Sequence, residues 1–273
     1  GSEMCIRDSP LGVLGAAIAT LIAQAVSAVL VTVTLMYRTE GMKLCLSQIR
    51  MYKRMLQSIL KIGLPAGFEA IMYSISNIIV QVSINNFGVD TMAAWTAYSK
   101  IDFIFWMINS AFGISVMTFV GQNYGAGKWD RIRRGTKICL GMALISAVSV
   151  SIILMSAERF LFGIFVNDAG VVEIGIRMMN VIAPAYLLFA FIEVFSGALR
   201  AQGAVVVSTL ITMVGICVLR MIWVTLVAAH GTLEQVIICY PITWAAGALA
   251  MSIYYIYKPV SYTHLTLPTN REV

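Results

Sequence analysis

Residues Lys137–Ala157 read KICLGMALISAVSVSIILMSA, a run whose one charge stands at its first position. At about 1.5 Å of rise per residue, about 20 predominantly apolar residues cross the hydrocarbon core of a bilayer. This run meets that length, and six others do so too: 11 to 36, 62 to 86, 93 to 121, 177 to 200, 206 to 229 and 235 to 257. Hydrocarbon offers the backbone no hydrogen bonds, so only helices or a closed barrel can span it. Uninterrupted apolar runs lack the alternation of barrel strands. The sequence therefore predicts an all-α integral membrane protein with seven transmembrane helices.

Composition agrees. Hydrophobic residues make up 59% of the 273 positions and charged residues 12%, against about half and about a quarter in soluble domains. The net charge of +6 falls in short clusters between apolar runs, where anionic headgroups rather than nucleic acid are the natural partner. Cys5, Cys45, Cys139, Cys217 and Cys239 form no CxxC pair and read as small apolar residues or spare thiols. His230 falls in a loop and His264 in the tail, which offers no metal site or catalytic triad. Gly121–Lys128 has glycines and a lysine but not phosphate-loop spacing, and Trp129 stands where Ser or Thr would hold a metal. Nothing points to an enzyme or an organic cofactor.

Residues 1–9 and 261–273 look foreign to the rest and resemble translated adapter read-through, so the chain is expected to be a fragment. No signal peptide is recognisable. Between the spans, one side receives Arg38, Lys43, Arg50, Lys53, Arg54, Lys61, Lys128, Arg131, Arg133, Arg134, Lys137, Arg200 and Lys258, and the other only Arg159 and Arg177. The basic side is expected to be cytosolic, with the first helix starting outside. Met42 to Ile59 alternates apolar and basic residues and reads as a helix lying on the cytosolic interface. Glu158 to Val166 is expected to bring Phe160, Phe162 and Phe165 to the outer interface, with Trp95 and Trp223 in an aromatic belt. Pro65 opens a helix, whereas Pro184 and Pro241 are expected to kink theirs.

Five charges lie inside spans: Glu69, Lys100, Asp102, Glu193 and Arg220. Each costs about 2.5 to 3.5 kcal/mol on insertion scales, so each should face the bundle interior or a wet cavity. Glu69 and Glu193 fall at similar depth near the cytosolic ends of their helices. Two poorly hydrated carboxylates at one level can hold a proton near neutral pH or share a monovalent cation; the alternative is that each only locks helix packing. Lys100, Asp102 and Arg220 fall in outer halves and are expected to form a compensated cluster, either architectural or functional. Tyr73 and Asn109 join these three as candidates for substrate contact or buried pairing.

Three segments carry a resemblance: Gly63-Leu-Pro-Ala-Gly67, Thr118-Phe-Val-Gly-Gln-Asn-Tyr-Gly-Ala-Gly-Lys128 and Gly197-Ala-Leu-Arg200. In this order and spacing, residues 11 to 260 resemble the multidrug and toxic compound extrusion family of cation-coupled antiporters. The resemblance implies twelve helices in two six-helix lobes around a central cavity. Residues 10–36 would be the last helix of an N-terminal lobe, 37–61 the linker, 62–258 the C-terminal lobe and 259–273 a mostly foreign tail. It further implies efflux of a small organic-cation or drug-like substrate coupled to Na+ or H+ at Glu69 and Glu193. The setting would be a prokaryotic inner membrane, with the missing N-terminal lobe as partner. The family's usual acid positions are held here by Tyr73 and Phe189, and Glu69 and Glu193 are each displaced by one turn toward the cytosol. Two alternatives stay open: a lipid-linked oligosaccharide flippase of the same superfamily, which a cationic cavity would favour, and a seven-helix receptor. A retinal protein would want a lysine in the last helix, and 235 to 257 contains none.

Overall fold

A computed structural model describes residues 12–37, 50–227 and 231–257. The two terminal segments, residues 38–49 of the linker, His230, Lys258 and His264 lie outside the described residues, as do Cys5 and Cys45. Among the described residues seven helical stretches are long and apolar enough to cross a membrane.

The chain divides into two units, residues 1–58 and 59–273. In the first, α1 spans Gly12–Tyr37. Leu21, Val29 and Leu30 are all more than half exposed, a surface suited to acyl chains. Thr32 and Thr34 each donate at 2.8 Å to the carbonyl four residues back.

The second unit holds the bundle. Helix α2 runs Lys53–Asn85, so the described end of the expected interfacial stretch is continuous with the span. A turn with Gly88 at φ 100° leads into α3, Val89–Gly125. The glycine-rich segment closing α3 is a helix stop: Gly127 takes φ 67°, and the Lys128 amide donates to the Asn123 carbonyl at 2.9 Å. Helices α4, Trp129–Ser156, and α5, Glu158–Phe165, follow. Phe160 and Phe165 are exposed, but Phe162 is fully buried against Gly175, where a Cβ would strike its ring. An eight-residue amphipathic helix can offer only one face outward, so the expectation for Phe162 fails.

Helix α6, Ala169–Ile182, begins at Asp168, whose Oδ1 accepts from the Gly170 and Val171 amides at 2.7 and 3.2 Å. Pro184 sits in a single 3-10 turn, Ala183–Ala185, that joins α6 to α7, Tyr186–Ala201. Pro241 stands three residues after Ile238, where the last span is interrupted between Leu233–Ile237 and Cys239–Tyr257, a break that fits the expected kink. Between these, α8 (Val205–Thr212) passes into a π-helical stretch Met213–Val218, one α-helical turn α9 (Leu219–Ile222) and a second π-helical stretch Trp223–Val227. The short α10, Leu233–Ile237, carries a Thr232/Gln235 capping box before α11, Cys239–Tyr257.

Helix α7 is the hub, with α3, α4 and α11 packed against it. Lipid tails are as apolar as leucine, so close packing has to hold these helices together, and small residues permit it. A Cβ on Gly197 would come within 2.8 Å of the Gly113 carbonyl, so α3 and α7 meet backbone to backbone. Trp95 and Trp223, expected in an aromatic belt, are each half-buried and partnered. Trp95 turns inward onto Tyr98 and Tyr240, at 5.4 and 5.9 Å between ring centroids, and Trp223 donates its indole hydrogen to the Gln235 carbonyl at 2.9 Å. An indole with an apolar body and a bonded N–H can keep both contacts at a membrane interface.

Candidate functional site

Helix α2 carries Glu69, Tyr73, Asn77, Gln81 and Asn85, each four residues from the last. Residues at this spacing stack along one ridge of a helix, so an otherwise apolar span presents a polar strip. At its far end the Gln81 amide donates to Asn85 Oδ1 at 2.8 Å.

At the basic-loop end, Arg200 of α7 reaches this strip. Its Nη2 lies 2.7 and 2.8 Å from the two carboxylate oxygens of Glu69, and the Thr209 hydroxyl of α8 donates to Oε2 at 3.0 Å. The two side chains are 13% and 29% exposed for Glu69 and Arg200, so the pair is shielded without being sealed. Glu193 stands two turns before Arg200 on the same helix face, half-buried and within electrostatic range of both Arg200 and Glu69. Among the described residues its carboxylate has no hydrogen-bond partner. It rests against Gly113, where any Cβ would collide with it. The two glutamates named from the sequence thus share one cluster, with Arg200 between them. Arg200 was missed because its place in the Gly-x-Leu-Arg turn reads as an ordinary cytosolic charge.

The other sequence candidates do not form one group. Lys100 is exposed. Asp102 turns inward, accepting from the Trp106 indole at 2.6 Å and from the Tyr186 hydroxyl, which in turn accepts from Tyr98 at 3.1 Å. Arg220 is fully buried on α9, donating to Asn77 at 3.0 Å and lying over the rings of Tyr240 and Tyr73 at 4.3 and 5.7 Å. Among the described residues no ion pair joins Lys100, Asp102 and Arg220, so the compensated cluster is not formed. The reason is geometric: positions two apart on a helix point about 200° away from each other, which sends Lys100 outward when Asp102 turns in. Asn109 is buried on the face of α3 that includes Asp102, Trp106 and Gly113, and its amide nitrogen is unpaired.

Asp102 lines a cavity of about 300 Å³. From α2 come Tyr73, Asn77 and Gln81, from α3 Trp95, Tyr98 and Trp106, and from α11 Tyr240 and Trp244. The walls are tied together by edge-to-face and tilted ring pairs, including Trp106–Trp244 at 6.1 Å and Tyr240–Trp244 at 5.6 Å. Phe189 packs behind, 4.6 Å from Trp106. One carboxylate set among aromatic faces is an arrangement that attracts an organic cation, through both charge and ring quadrupole. Among the described residues no group of three metal-ligating side chains occurs.

Comparison with known proteins follows the same outline. The MatE family model matches residues 65–226. The chain is 26% identical over 251 residues to the "Probable multidrug resistance protein YoeA" of Bacillus subtilis, covering 90% of this chain and 54% of that protein. It is 23% identical to the "Multidrug export protein MepA" of Staphylococcus saprophyticus, with 80% and 51% covered, and 23% identical to the human "Multidrug and toxin extrusion protein 1", with 84% and 41% covered. An outward-facing MATE transporter of the MOP superfamily superposes with TM-score 0.81 at 18% identity, over 90% of this chain and 56% of that one. An inward-facing form gives 0.70 at 18% identity, over 90% and 58%. The chain therefore spans about half the length of the relatives it matches.

Proposed function

The chain belongs to the MatE family of multi-pass membrane transporters, and from that premise we propose that it forms part of a secondary antiporter exporting a small organic cation or drug-like solute against Na+ or H+. The observation that carries this reading is Asp102, a carboxylate facing an aromatic cavity within membrane-spanning helices. A cationic guest with apolar flanks gains ring contacts and a counter-charge there, in surroundings of low dielectric.

Coupling is assigned to the cluster at the basic-loop end. Two carboxylates and one guanidinium leave one net negative charge, which one proton or one Na+ neutralises. Arg200 already holds Glu69, so Glu193 is the group left for the visiting ion. Filling and emptying Glu193 changes what Arg200 feels, and with it the tie between α7 and α2. That tie is the element through which an ion biases inward-open against outward-open states, since a ligand shifts an equilibrium only by its differential affinity for the two states.

A flippase of the same superfamily would want a cationic cavity, whereas the charged side chain lining this one is Asp102. The test is binding of tetraphenylphosphonium to the chain in lipid nanodiscs, followed by tryptophan fluorescence. Binding that Asp102→Asn weakens supports the reading, and equal binding by parent and variant removes it.

A further inference from the structure

The polar strip on α2 joins two places that the function keeps apart. Tyr73, Asn77 and Gln81 line the cavity, and Glu69, one turn further, belongs to the carboxylate cluster. Arg220 stands behind this junction. Its guanidinium is bonded to Asn77 and lies over Tyr73, and it is fully buried. Two of its nitrogens, Nε and Nη2, have no hydrogen-bond partner among the described residues. No carboxylate pairs with it there either. A buried charge left without a counter-charge is costly and marks function by default. The chain around it is also unusual. Arg220 sits on a single α-helical turn between two π-helical stretches, and such stretches gather at functional sites.

We propose that Arg220 is the charge barrier on the α2 strip, a selectivity residue that stops a cation in the Asp102 cavity from running on to the Glu69–Arg200–Glu193 cluster. This rests on the antiport reading given above. An antiporter in which substrate cation and coupling ion reached each other's sites along an open polar track would leak. A fixed guanidinium, which stays protonated whatever its surroundings, excludes cations from such a constriction by charge alone. Asn77 and the two tyrosine rings hold it in place without neutralising it, which a carboxylate would do.

Cys217 is a built-in reporter beyond the barrier. It is fully buried and within electrostatic range of both Arg220 and Glu69. With Cys5, Cys45, Cys139 and Cys239 replaced by alanine, the chain in nanodiscs is treated with a cationic trimethylammonium-ethyl thiosulfonate. Labelling of Cys217 should be slow in this parent and in Arg220→Lys, which keeps the charge. It should rise by about tenfold or more in Arg220→Gln, while a neutral thiosulfonate of similar size should label parent and variant alike. Should Arg220→Gln not fold, the parent's faster labelling by the neutral than by the cationic reagent decides alone. Equal cationic labelling of parent and Arg220→Gln, whether both fast or both slow, overturns the barrier, and so does Arg220→Lys behaving like Arg220→Gln. Thiol labelling needs neither substrate nor coupling ion, so failure here is separable from failure of tetraphenylphosphonium binding.

Discussion

Arg200 of α7 grips Glu69 of α2 through one nitrogen, Nη2, placed 2.7 and 2.8 Å from the two carboxylate oxygens. Together with Arg220 on Asn77, this makes polar side chains the principal ties of α2 to the rest of the bundle over its middle and basic-loop portions. In lipid such polar contacts add to close packing in docking a helix.

Breaking that grip should loosen α2. Arg200→Gln leaves two carboxylates without their counter-charge in a shielded site and is expected to cost about 1–3 kcal/mol, whereas Glu69→Gln leaves Arg200 facing Glu193 and should cost less. Thermal unfolding in detergent should rank the double variant above at least one of the singles, because neither charge is then stranded. A double variant less stable than both singles would contradict an ion pair.

Glu193 is the group proposed to receive the ion. In proteoliposomes of the transporter under an imposed Na+ or proton gradient, Glu193→Gln should abolish gradient-driven efflux. Glu69→Gln should impair it less completely, by freeing Arg200 to neutralise Glu193. Full efflux from the double variant would remove both glutamates from the mechanism.

Asp102 is expected to supply the counter-charge in the aromatic cavity. Asp102→Asn should weaken tetraphenylphosphonium binding about tenfold to a hundredfold, the scale of a desolvated charge contact. Lys100→Gln, which alters an exposed side chain, should leave it unchanged.

Gly113 tests packing and site together. A methyl there meets the Glu193 carboxylate, whereas one on Gly141 meets nothing within 4 Å. Gly113→Ala should destabilise the bundle by about 1–3 kcal/mol and shift the ion dependence of efflux. Gly141→Ala should be neutral or stabilising by up to about 1 kcal/mol. Circular-dichroism melts and the ion titration read the two effects.

Much of the site's membership was legible. Glu69, Glu193, Asp102 and Arg220 stood out because a charge in a span is expensive wherever it points. Tyr73 was named, and it lines the cavity. Their grouping was not legible. Arg200 read as a cytosolic charge, and the i+4 strip from Glu69 to Asn85 passed unnoticed because uncharged Asn and Gln raise no alarm singly. Lys100, Asp102 and Arg220 fall at similar depth but do not pair, because run length gives depth along a helix and not azimuth around it.

The sequence alone determined the lipid environment, the seven spans and the charges that had to be hidden, since these follow from one-dimensional facts: run length, composition and the cost of unsatisfied groups in hydrocarbon. Only the tertiary structure decided which hidden charge meets which. That choice depends on helix rotation and on the close approach that Gly113 and Gly197 permit, and a rotation of half a turn changes a side chain's neighbours entirely while leaving its depth almost the same.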